Sequence, residues 1–251
     1  KGWSLKNPME NWYGIQTLSE GCVSQVNLPS NNLKGQIPDF SNLPELRDLN
    51  LPNNKITGIF YNFINMIDLT NIDLSHNDLN GTFPKFIGLP AIKIVNLSNN
   101  FLFGEIPDLN KNFKLEKINL SKNNFSGLIP LIPGGNDPHF IYNFSFNNFT
   151  FEDFENNHPI SLSEHKYAPQ NKFFKDTLIQ LKANSDLIID LKIDSANLFN
   201  IYSWKFNNVS WLPPDPPNNN KENKLILNNI QTNMAGRYTV DVTNSIYDEL
   251  T

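Results

Sequence analysis

One asparagine-centred skeleton returns at a fixed interval through the first half of the chain. It reads VNLPSNNLKGQIP at 26–38, LNLPNNKITGI at 49–59 and IDLSHNDLNGTFP at 72–84. Aligned on the asparagine of L-x-L-x-x-N, the copies place Asn31, Asn54, Asn77, Asn100 and Asn123 at intervals of 23 residues. A sixth copy, YNFSFNNFTF, places Asn147 at an interval of 24. Five copies continue to a glycine (Gly35, Gly58, Gly81, Gly104, Gly127), and four of these end on Pro38, Pro84, Pro107 and Pro130. A period of this length means that one supersecondary unit is being stacked.

The pattern within each copy says what the unit is. Val26 and Leu28, Leu49 and Leu51, Ile72 and Leu74, Val95 and Leu97, and Ile118 and Leu120 alternate with polar residues, as in a short strand with one buried face. Such a strand cannot bury its apolar side alone, so each coil must stack on the next and form a solenoid. The repeated asparagine stands where the chain leaves the strand. There its amide can pair backbone groups that would otherwise be buried without partners. Glycine and proline mark the outer bend, where positive or fixed φ is required.

Together with the leading Val23, Leu46, Leu69, Ile92 and Leu115, these residues resemble the leucine-rich repeat family, in its plant-type subclass L-x-x-L-x-L-x-x-N-x-L-x-G-x-I-P. The resemblance covers about residues 12–155. It implies a short parallel sheet on a concave face and an irregular or 3-10 convex side. NWYGI at 11–15, with Gly21 and Cys22, is similar to the family's N-terminal cap. Plant members pair two cysteines in that cap, whereas Cys22 is the one cysteine here, and secreted bacterial members of the repeat class fit it better. The thiol reads as a small buried structural residue. The expected organisation is a cap at 1–22, repeats over 23–158, a closing cap and linker at 159–173, and a second domain at 174–251. Phe151 stands where the sixth copy should have glycine, as in a closing coil.

Beyond residue 174 the rhythm changes to short alternating runs: TLIQL (177–181), LIIDLKI (187–193), YSWKF (202–206), KLIL (224–227) and RYTVDVTN (237–244), with PPDPPNNN (213–220) among the turns. Such runs predict an all-β sandwich. NIQTNMAGRYTVDVTN (229–244) resembles the E–F corner and strand F of immunoglobulin-like domains through Gly236, Tyr238 and Asn244. The resemblance makes Tyr238 a tyrosine corner and Trp204 the buried strand-C tryptophan. Leu191 and Val240 would stand in place of the inter-sheet disulfide, and Met234 where an aspartate is usual.

No catalytic or phosphate-binding motif is present, and no cofactor is expected. The charge of −5 carries no nucleic-acid footprint, and no apolar run is long enough to span a bilayer as a helix. Lys1 opens the numbering without a methionine, as in a processed or trimmed chain, so a missing leader says nothing about targeting. His158 and His165 read as solvated loop residues, and Glu152, Asp153 and Glu155 as a charged solenoid end. Asp48 and Asp73 lie on one sheet face but at different strand positions, which argues against a glycosidase pair. The sequons at Asn96, Asn119, Asn143, Asn208 and elsewhere read as by-products of the repeat. Sugar on the first three would block the strand face.

The outward strand positions therefore remain as the place for function. They form columns: Asn27–Asn50–Asp73–Asn96–Asn119–Asn143, a hydrogen-bonding ladder, and Ser30–Asn53–His76–Asn99–Lys122–Phe146, freer to touch a partner. Arg47, Asp48, Lys93, Glu116 and Lys117 join from the leading side. Six strands about 4.8 Å apart make a face roughly 25 Å long, enough for about seven extended residues. The expectation is a secreted or cell-surface, non-enzymatic adhesion or recognition protein that binds a protein or glycan through Arg47, Asp48, Asn53, Asp73, His76, Lys93, Asn99, Glu116, Lys117, Lys122 and Phe146. The alternatives are an inhibitor of a polysaccharide-degrading enzyme and the accessory region of a larger secreted hydrolase.

Overall fold

A computed structural model describes residues 8, 11–19, 21–59, 63, 66–84, 89–130, 140–150, 153, 170, 177–191, 200–210 and 223–244. The chain divides into two compact units, 1–171 and 172–251.

In the first unit the L-x-L cores form one seven-stranded sheet. β1 (Ile15–Thr17) pairs antiparallel with β2 (Val23–Asn27). Parallel to β2 follow β4 (Asp48–Asn50), β6 (Asn71–Asp73), β8 (Ile94–Asn96), β10 (Lys117–Asn119) and β12 (Ile141–Asn143). The register is the sequence period itself: Val26, Leu49, Ile72, Val95, Ile118 and Tyr142 are successive partners. Their side chains and the leucines two residues on form a continuous buried spine, with Leu74, Val95, Leu97, Ile118 and Leu120 fully buried. The last coil replaces aliphatics with rings. Tyr142 stacks on Phe144 with centroids 5.0 Å apart, and Phe144 meets Phe149 at 6.2 Å.

The side expected to be irregular carries a second parallel sheet instead, formed by β3 (Lys34–Gln36), β5 (Lys55–Gly58), β7 (Asp78–Thr82), β9 (Phe101–Gly104) and β11 (Asn124–Phe125). The cause is the asparagine of the neighbouring coil. Each one fixes the backbone that enters this sheet, and it does so in the same way along the stack. Asn100 Oδ1 accepts the Leu79 N–H at 3.0 Å, and its Nδ2 donates to the carbonyls of Leu74 and Leu97, both at 3.0 Å. Each of those carbonyls takes two amides, one from its own coil and one from the next. Leu97 O, for example, also accepts Asn123 Nδ2. The ladder is buried from Asn54 to Asn147.

Its last rung is not an asparagine. Gln170, 23 residues beyond Asn147, accepts the Asn147 N–H at 3.1 Å and donates to the Phe144 carbonyl at 3.1 Å. A longer amide thus closes the stack where the repeat motif has ended. Gln170→Ala is expected to cost about 1–2 kcal/mol. Faster hydrogen exchange at the Asn147 amide, with the amides of β4 and β6 unchanged, is the signature.

The second unit packs two small antiparallel sheets on a shared core. β13 (Leu187–Asp190) pairs with β16 (Lys224–Leu227), while β14 (Asn200–Phe206) lies between β15 (Val209–Ser210) and β17 (Tyr238–Asn244). The run at 177–181 forms no strand: Leu178, Ile179 and Leu181 are exposed, so the alternation there has no sheet to pack on. Leu191, Tyr202, Trp204, Leu225 and Leu227 form the buried cluster, with Val240 packed against it. Leu191 and Val240 therefore both serve the core, as apolar replacements for a bridge would. Gly236 is required by close approach, since a Cβ there would lie 2.3 Å from the Phe206 ring.

Tyr238 Oη donates to the Met234 carbonyl at 2.9 Å, four residues upstream. Partial burial holds its phenol above the usual value near 10. A raised phenol favours the neutral form in the fold. Its contribution is complete below the unfolded value and disappears as pH rises through the folded one. Tyr238→Phe is expected to lower the second unit's melting temperature by about 5 °C at neutral pH. It should also flatten the alkaline fall in stability, which a pH series of thermal melts reads directly.

Candidate functional site

The outward face of the seven-stranded sheet is ruled into rows by the parallel register. Position by position, Gln25, Asp48, Asn71, Ile94, Lys117 and Ile141 are partners. The next outward row is Asn27, Asn50, Asp73, Asn96, Asn119 and Asn143.

The second of these rows is occupied with its own bonding. Asn50 Nδ2 donates to Asn27 Oδ1 at 2.7 Å, and Asn96 Nδ2 to Asp73 Oδ2 at 3.2 Å. Asp73 Oδ1 also takes the Ser75 amide and hydroxyl, and the Ser98, Ser121 and Ser145 hydroxyls bond the asparagines two residues back. Asp48 accepts the Asn71 amide in the same manner. Both aspartates thus serve the sheet and stand in different rows, which is not the arrangement of a glycosidase carboxylate pair.

The third column has a conformational origin. Ser30, Asn53, His76, Asn99, Lys122 and Phe146 all have φ between 50° and 57°. The left-handed kink is held by hydrogen bonds to the next coil, as from the His76 amide to the Ser98 carbonyl at 2.9 Å. It turns the chain away from the sheet and leaves the side chain exposed, except at Asn99, which is half-buried. Asparagine and histidine tolerate this backbone, whereas lysine and phenylalanine in the last two coils do so at some cost.

Among the leading positions, Lys93 Nζ donates to Glu116 Oε1 at 2.8 Å, in an exposed pair worth little. Lys122 Nζ sits 5.7 Å from the centre of the Phe146 ring. Among the described residues no ion pair engages Arg47, Lys117 or Lys122. The sheet therefore changes character along the stack. Its early coils offer polar groups bonded to one another. Its later coils offer unpaired cations around two exposed apolar side chains, Ile94 and Phe146. Ile94 and Ile141, which flank Lys117 in the same row, were not among the expected site residues; counting two residues back from Asn96 and Asn143 of the ladder row finds them.

Cys22 is exposed rather than buried, because the cap turn ends before the first core position, Val23. Asp153 spends its carboxylate on the Thr150 amide at 2.7 Å, and burial raises it above the usual carboxylate range. Glu152, Glu155, His158, His165 and Phe151 lie outside the described residues. Among the described residues, no three His, Cys, Asp or Glu side chains come together as a metal site, and no helix is long and apolar enough to cross a membrane. A half-open cavity of about 430 Å³ between the cap and the first coils is lined mainly by apolar side chains such as Trp12, Val26, Leu28 and Phe40, with Lys34 and Gln36 also at its wall.

The family model described as Leucine Rich Repeat matches residues 68–89 and 114–136. The repeats are leucine-rich repeats. Among the solved structures similar to the chain are ectodomains of plant receptors. The Arabidopsis receptor kinase HAESA ectodomain, in complex with an N-terminally extended IDA peptide hormone, is 32% identical, with a TM-score of 0.50 over 59% of this chain and 26% of that one. HAESA with the peptide hormone IDA and the co-receptor SERK1 gives 30% identity and a TM-score of 0.50 over 58% and 26%. The BIR3–SERK2 complex from Arabidopsis thaliana gives 28% identity and a TM-score of 0.48 over 51% and 74%. The chain thus spans about a quarter of the HAESA ectodomain (26%). No curated protein sequence gives a significant match.

Proposed function

We propose that this chain is an extracellular, non-enzymatic binding protein. The outward face of its repeat sheet, concave in solenoids of this kind, holds an extended, acidic peptide segment of a partner. The second unit is an immunoglobulin-like sandwich that carries no chemistry of its own. The observation that supports this reading most is Lys117, in register with exposed Ile94 on the neighbouring strand, and Lys122, beside the exposed Phe146 ring, neither in an ion pair among the described residues. Cations without partners complement an anionic ligand, and the two apolar side chains give it somewhere to bury surface.

The likeness to HAESA, solved with a peptide hormone, supports a peptide over a glycan. Inhibition of an enzyme has no separate observation behind it. The bacterial origin suggested by the unpaired cap cysteine finds no support in the plant structures and is not carried further. The test is a panel of secreted peptides and glycans presented to the purified chain, followed by hydrogen exchange with any binder. Protection centred on residues 93–99 and 116–122 is the expected footprint. Protection confined to the second sheet or to residues 177–244 would overturn the reading.

A further inference from the structure

Six N-x-S/T sequons fall in the repeat unit, at Asn80, Asn96, Asn119, Asn124, Asn143 and Asn148, and the fold sorts them. Asn96, Asn119 and Asn143 are half-buried in the side-chain ladder of the first sheet, and Asn148 is half-buried in the last coil. Asn80 and Asn124 alone among the six are exposed, and both lie on the second sheet. Between them runs β9, whose Phe101 and Phe103 are 58% and 50% exposed, while Leu102 between them is fully buried. The register places Asn80 beside Phe101, and Asn124 beside Phe103, from opposite flanks. In-register neighbours on adjacent strands share a face at about 4.8 Å. Two large apolar rings on a flat outer sheet are an association hazard unless something covers them.

We propose that Asn80 and Asn124 carry N-linked glycans whose first sugars lie over Phe101 and Phe103, so that sugar shields the second sheet and the binding sheet stays bare. This rests on the extracellular reading, since an acceptor asparagine meets its donor only along a secretory route. The donor is a lipid-linked oligosaccharide diphosphate supplied by the host's transferase. The amide Nδ2 attacks the anomeric carbon of the first N-acetylglucosamine. A C–N bond forms, the C–O bond to the diphosphate breaks, and the lipid diphosphate leaves with the electron pair. The amide proton passes to a carboxylate of the transferase. Once attached, the apolar C–H face of the pyranose lies against the electron-rich face of the ring, and the polar edge faces water.

The full chain, given a leader and secreted from a eukaryotic cell line, tests this. Release of sugar by peptide N-glycosidase in heavy-oxygen water marks every occupied asparagine for mass spectrometry. The marks are expected at Asn80 and Asn124 and not at Asn96, Asn119 or Asn143. Asn208, exposed in the second unit, reports that the host modifies the chain. A mark on Asn208 with Asn80 or Asn124 unmarked overturns the proposal, as does equal marking of the first-sheet asparagines. Sugar removal is expected to lower the repeat unit's melting temperature by roughly 2–4 °C. That drop should vanish in the Phe101→Ser, Phe103→Ser double variant, and its persistence there would overturn the stacking. Peptide binding is read separately on the same sugar-free chain, so its loss or survival bears on the binding face and not on these sites.

Discussion

Asn100→Ala is expected to lower the melting temperature of the repeat unit by about 10 °C. The side chain is buried and makes four bonds, three to carbonyls and one from the Leu79 amide. The carbonyls are partly protected against its loss. Leu74 O keeps Asn77 Nδ2, and Leu97 O keeps Asn123 Nδ2. The Leu79 N–H has no such reserve and is left buried without an acceptor, at about 1–3 kcal/mol. The lost bonds at the carbonyls and the small cavity bring the total to about 3–4 kcal/mol. Asn31→Ala makes the control. It removes the same letter of the motif, but Asn31 is exposed on the first coil, with no earlier coil to bridge, and its loss should be nearly silent. Equal falls for the two variants, by calorimetry of the full chain, would mean that the ladder does not hold the coils together.

The contrast between those two asparagines shows what the sequence could and could not reveal. Period and alternation identify the first sheet, its register and its buried spine, because each depends on residues a fixed distance apart. The second sheet is not visible in this way. Its strands read as KGQ, KITG or FLFG, too short and too broken by glycine to show alternation, and they are set by an asparagine in the neighbouring coil. Gln170 keeps the spacing of the ladder but changes the letter and lacks the surrounding motif, so only its bonds to Asn147 and Phe144 disclose it. The face followed the same rule. The columns were legible, but which members were spent on the ladder depended on side-chain partners such as Asn71 for Asp48 and Asn96 for Asp73. The skeleton N-x-L-x-G puts Leu102 at the core position and Phe101 and Phe103 at its variable positions, and the structure shows how far both rings are exposed.

Reversing three charges, Lys93→Glu, Lys117→Glu and Lys122→Glu, is expected to weaken an acidic peptide ligand roughly 100-fold at moderate salt. Each exposed pairing with a ligand carboxylate contributes up to about 1 kcal/mol, so losing three costs at most about 3 kcal/mol, a little over two decades in Kd. The three sites do not act alike. Among the described residues Lys117 and Lys122 have no acidic partner, so reversal converts attraction directly into repulsion. Lys93 is half-neutralised by Glu116, and Lys93→Glu also sets two acids side by side. Its single variant should therefore gain most from added salt, which screens that repulsion over about 8–10 Å. Arg47, on an early coil, gives an internal ruler: Arg47→Glu should matter only to a ligand long enough to reach back from β10 to β4, two strands beyond β8. The measurement is a titration of each variant at several salt concentrations, with thermal melts to show that the fold is intact. Undiminished affinity in the triple variant would remove the sheet face from the binding site. A loss that salt does not relieve would assign the contact to Ile94 and Phe146 rather than to charge.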